Sequence, residues 1–258
     1  MAGGAAGRFL EPFVAPELKI ERARHHYAAM IETLIDYQKI AKPTFIKTDR
    51  KIDPWQIEIS EPVPTVVALQ LGDIAHSLRS SLDVTMCDLA IVRGVGLSDM
   101  VYPFAANEAR FLEMLDAPNG KQPFKKLGSD IVEIVAASKP YGGGDNLLRG
   151  LHDLNNHDKH RMAVPFVSFV SATATHNKEL GPDVIMIGGP PVGIHVGVPV
   201  EGLEANDDPL AEYLINPTSM IVTFPREYVL FGNVVTTMGN LIDHVDDLVG
   251  RFKSAAGF

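Results

Sequence analysis

The sequence predicts an α+β fold: an N-terminal helical bundle with a small hairpin, then an antiparallel sheet and a closing C-terminal helix. Three observations predict it. Apolar residues recur at helical spacing through much of the chain up to Arg161. After Met162 the composition turns to Val, Ile, Phe and Thr punctuated by Gly and Pro. The chain then closes on one apolar stripe of helical period. Two regions follow, a mainly helical one over 1–161 and a sheet with the C-terminal helix over 162–258, expected to pack as one unit.

Pro16 opens the first helix, whose apolar face runs through Ile20, Ala23, Tyr27, Met30, Ile31, Leu34 and Ile35 until Pro43 stops it. Thr44 to Lys47 and Trp55 to Ser60 read as a hairpin around Asp53-Pro54. Pro64 then suits the first turn of a second helix reaching about Val92, closed by Gly94 and Gly96. Tyr102-Pro103-Phe104 reads as an apolar loop that plugs the helices, followed by helices near Glu108 to Leu115 and Phe124 to Ala137.

The run Tyr141-Gly142-Gly143-Gly144-Asp145-Asn146 precedes a further helix. No Lys-Ser/Thr follows the glycines, so Asp145 or Asn146 is expected as an N-cap rather than the run as a phosphate cradle. Met162 to Thr175, Val184 to Ile187, Val192 to Val198 and Met220 to Phe224 have strand composition, with Gly188-Gly189-Pro190-Pro191 as a turn. Val234, Val235, Met238, Leu241, Ile242, Val245, Leu248, Val249 and Phe252 form the closing stripe, which serves either the core or a homodimer. His244, Asp246 and Asp247 fall off it, as a solvated face would.

The formal charge of −9 excludes a broad basic footprint for duplex DNA. Cys87 is the only cysteine, so no intrachain disulfide forms and a reducing, cytoplasmic setting is expected. Met1 to Gly7 lack a following apolar run, so no signal peptide is expected, and no segment has the ~18 apolar residues of a membrane span. No motif calls for an organic cofactor.

Two polar clusters interrupt the apolar helices. The first contains Asp73, His76, Arg79 and Asp83. With Asp73 at the origin and about 100° per residue, His76 falls near ~300°, Arg79 near ~240° and Asp83 near ~280°, while Leu71, Leu78, Leu82 and Leu89 fall at ~140–180°. The polar groups thus share a stripe at the edge of the core. His76 suits a general acid or base oriented by Asp73 or Asp83, and Arg79 suits an anionic group. The same residues also suit a structural network in which Arg79 bridges Asp83.

The second cluster is His152, Asp153, His157, Asp158, Lys159, His160 and Arg161. His152, Asp153, His157 and His160 include ligand types for a divalent metal, but Lys159 and Arg161 oppose a bare cation, so no metal is favoured. Asp158, Lys159 and Arg161, with Asp73, are candidate ligand-binding residues. His160 joins His76, Arg79 and Asp83 as the candidate catalytic set. Mutual satisfaction is the least costly way to bury both clusters.

As a set, Gly72-Asp73-x-x-His76-x-Leu78-Arg79-Ser80-x-Leu82-Asp83, Tyr102-Pro103-Phe104, Pro140-Tyr141 and Asp158-Lys159-His160-Arg161 resemble a family of uncharacterised bacterial and phage-borne proteins. Its second-helix motif is similar to the Arg-x4-His signature of HEPN-type helical domains, many of them dimeric, metal-independent ribonucleases. The resemblance implies RNA as a substrate and Arg79 as the signature arginine. Val84 occupies the histidine position and transfers no proton, so His76 or His160 would have to substitute. Three functional expectations follow. A polar His/Asp/Arg pocket binds a small anion, a nucleotide or a protein partner without catalysis; the alternatives are a HEPN-like ribonuclease and a metal-assisted hydrolase.

Overall fold

A computed structural model of the chain describes residues 11–41, 43–47, 55–96, 100–116, 124–158, 165–176, 184–188, 198–199, 213–224, 230 and 232–258. The α-helices are α1 (Val14–Ile40), α2 (Thr65–Val92), α3 (Glu108–Asp116), α4 (Ser129–Ser138), α5 (Asn146–Asp158) and α6 (Val234–Ala256). The strands are β1 (Pro43–Lys47), β2 (Trp55–Ile59), β3 (Phe166–His176), β4 (Val184–Gly188), β5 (Val198–Pro199) and β6 (Tyr213–Thr223).

The expected α+β class is corrected to a predominantly helical one. Of the residues whose side chains are described, 74 % are helical. Among the residues whose side chains are described, the buried core lies on the helices and the loops between them, and strands add Val167, Val222 and Thr223 to it. Fold class follows from the elements that supply packed layers. The Val-, Ile- and Thr-rich composition after Met162 reports only that a segment fits a pleated surface. Such composition does not by itself supply a second, sheet-based layer.

The chain divides into two compact units. The first comprises Met1–Tyr27, Leu71–Arg161 and Met238–Phe258. Its core is built on the leucine stripe of α2, with Leu71, Leu78, Leu82 and Leu89 all fully buried, and on the stripe of α6, where Met238, Leu241, Val245 and Phe252 are equally buried. The α6 stripe from Met238 onward is thus buried within the chain. Leu148, Leu151 and Leu154 bury the apolar face of α5. Asp145 caps α5, its Oδ1 accepting the Leu148 N–H at 2.8 Å, as the sequence predicts. The helix expected over Phe124 to Ala137 is broken into a 3-10 turn, Phe124–Leu127, and α4. Gly128 between them has φ +109°, outside any helical conformation.

The second unit comprises Ala28–Gln70 and Met162–Thr237. Here β1 and β2 pair antiparallel from Pro43↔Ile59 to Lys47↔Trp55, and β5 adds to β2. Asp53-Pro54 lies outside the described residues. β3 pairs antiparallel with β4 on one side and β6 on the other, with an irregularity at Ser171. Tyr37 Oη donates to the Glu61 carbonyl at 2.7 Å, tying the end of α1 to the approach to α2.

Candidate functional site

Within the first unit, α2, the 102–105 loop and α5 converge on the ring of Phe104. The α2 stripe divides along its length. Asp73 and His76 are exposed, whereas Arg79 and Asp83, one to two turns later, are partly buried. Asp73 Oδ2 lies 3.7 Å from His26 Nδ1 on α1. His76 makes no hydrogen bond or ion pair among the described residues, and neither Asp73 nor Asp83 orients it.

Arg79 and Asp83 form an ion pair one helical turn apart. Asp83 Oδ1 also accepts the Tyr102 N–H at 2.9 Å, fixing the start of the loop to α2. The Arg79 guanidinium carbon sits 4.4 Å from the centroid of Phe104, a cation–π arrangement. Its Nη1 is buried. It lies against Asp83 Oδ1 in that ion pair.

From α5, Arg149 makes a two-pronged contact with Asp153, Nη2 to Oδ1 at 2.6 Å and Nε to Oδ2 at 3.0 Å. Its Nη1 donates to the Ala105 carbonyl at 2.9 Å and fixes the other end of the loop. His152 stacks on Phe104, with ring centroids 4.9 Å apart and planes 16° apart. Burial, followed by the positive charges of Arg79 and Arg149, holds the His152 pKa below its ordinary value. The imidazole is therefore neutral near pH 7.

His152 Nε2 lies 2.9 Å from the Asn156 amide nitrogen. With that assignment of the amide, Nε2 accepts and Nδ1 carries the proton. Nδ1 is buried without a hydrogen-bond partner. His152 thus presents one unmet buried donor, which costs about 1–3 kcal/mol.

The two sequence clusters therefore meet, through Arg79 and His152 on Phe104. The rest of the second cluster is not placed. The side chains of His157 and Asp158, and all of Lys159, His160 and Arg161, lie outside the described residues. No three His, Cys, Asp or Glu side chains are grouped to hold a metal among the described residues. The N-terminus of α5 offers no cradle for a phosphate, because the Asp145 carboxylate occupies it. Val84 is partly buried in α2. No helix among the described residues is long and apolar enough to cross a membrane.

Sequence reasoning underused three residues. Arg149 stands four before Asp153, and that spacing signals the pair. Phe104 was legible as a plug but not as the platform for two polar side chains. His244 reads as solvated, yet its Nε2 lies 3.0 Å from Asp145 Oδ2; with the two 99 positions apart, no local pattern could reveal it. No family model matches this chain, and no curated protein and no solved structure matches it significantly.

Proposed function

We propose that the Phe104 site binds a small anion without catalysing a reaction. One observation carries this reading: His152 Nδ1 is a buried donor with no hydrogen-bond partner, on a ring that shares Phe104 with the Arg79 guanidinium. An oxyanion supplies the acceptor that Nδ1 lacks. Phe104 is itself 9 % exposed and carries both groups, so it offers no free face for stacking a nucleobase. The single thiol, Cys87, fits a reducing cytoplasmic setting. Burial raises its pKa, and its Sγ lies 3.4 Å from the Met100 carbonyl, so it is a packed thiol rather than a nucleophile.

The test is ligand-induced stabilisation of the full chain by sodium acetate and by methyl phosphate, against chloride at constant ionic strength. At about 100-fold over the dissociation constant, binding adds about 2.7 kcal/mol. The expected result is a saturable rise in Tm for wild type and for the surface variant Arg110→Ala, abolished in Arg79→Gln. Equal responses in all three proteins overturn the reading. RNA cleavage present in wild type and absent in Arg79→Gln would replace it with the ribonuclease alternative.

A further inference from the structure

We draw no further inference here: the strongest candidate, the side-chain cluster that Arg79 and His152 form on the Phe104 ring between α2 and α5, belongs to the site already described, and its one unmet donor, His152 Nδ1, does not distinguish one class of anion from another.

Discussion

His244 Nε2 on α6 lies 3.0 Å from Oδ2 of Asp145, the same carboxylate whose other oxygen caps α5. The pair shifts both titrations. Contact with Asp145 raises the His244 pKa against the opposing effect of burial. Burial pushes Asp145 upward, but His244 and the Leu148 N–H together carry it below its ordinary value. A raised histidine pKa gives stability that is full below the unfolded value of about 6.5 and is lost as pH rises through the folded pKa. A lowered aspartate pKa gives stability that is present above about 3.9 and is lost as pH falls through the folded pKa. The pair therefore contributes most between about pH 4 and 6.5.

His244→Gln should lower stability in that window and not at about pH 9. The side chains are 35 % and 25 % exposed, so solvent screening limits the effect to about 1 kcal/mol or less. Urea unfolding of both proteins across pH measures the difference. His152 acts with opposite sign: its lowered pKa removes stability as pH falls through about 6.5. Only the wild-type minus variant profile therefore isolates His244, and a flat difference would refute the coupling.

The buried hydroxyl of Tyr102 donates to Ser138 Oγ at 2.5 Å, and Ser138 in turn donates to the Val135 carbonyl at 2.6 Å. Burial drives the Tyr102 pKa far upward, so it stays a neutral donor through the accessible pH range. Tyr102→Phe removes the donor and leaves the ring. It should cost about 1–2 kcal/mol in urea unfolding, the value of one buried hydrogen bond. Tyr102→Ala should cost about 3–5 kcal/mol, because the ring also packs against Phe104 and Phe252. Equal losses would show that the hydroxyl rather than the packing dominates.

The difference between what was legible and what was not follows from the range of each interaction. The α2 stripe was readable because one rotation per residue fixes which residues share a face, and the leucines it assigned inward are buried. The Asp145 cap was readable because capping spans only three residues. The strand-like composition after Met162 does not carry the fold class, because β-propensity does not say which elements supply the core. The meeting of Arg79 with His152 was foreseeable as a need, not as a geometry. Burying two polar clusters calls for partners, but nothing in helical spacing named Phe104, in a loop, as the surface on which they meet.

Arg149 secures the 102–105 loop through the Ala105 carbonyl while pairing with Asp153. Arg149→Lys keeps the charge and loses the planar fork, since one ammonium cannot reproduce three directed contacts in fixed geometry. It should destabilise by about 1–2 kcal/mol in urea unfolding, from charge-assisted hydrogen bonds lost in a partly buried setting. The loop should loosen as well. Amide exchange at Ala105, whose N–H donates to the Pro140 carbonyl at 3.1 Å, should accelerate in the variant relative to amides of α6. Unchanged exchange at Ala105 would mean that Asp83, through Tyr102, holds the loop unaided.

Phe104→Leu tests the platform itself. Leucine keeps most of the apolar volume but offers no π face to Arg79 or His152. The cation–π term is about 0.5–2 kcal/mol and the ring stack about 0.5–1.5 kcal/mol. The variant should therefore lose about 1–3 kcal/mol of stability, the smaller value if the guanidinium gains water. A larger effect is expected on binding. Without the ring, Arg79 and His152 lose the surface they share, and binding needs its groups held in place before the ligand arrives. Acetate stabilisation should then drop well beyond the loss in stability, whereas Phe104→Tyr, which restores a π face, should recover it. If Phe104→Leu responds to acetate as wild type does, Arg79 and His152 are positioned by α2 and α5 alone and the ring is only core packing.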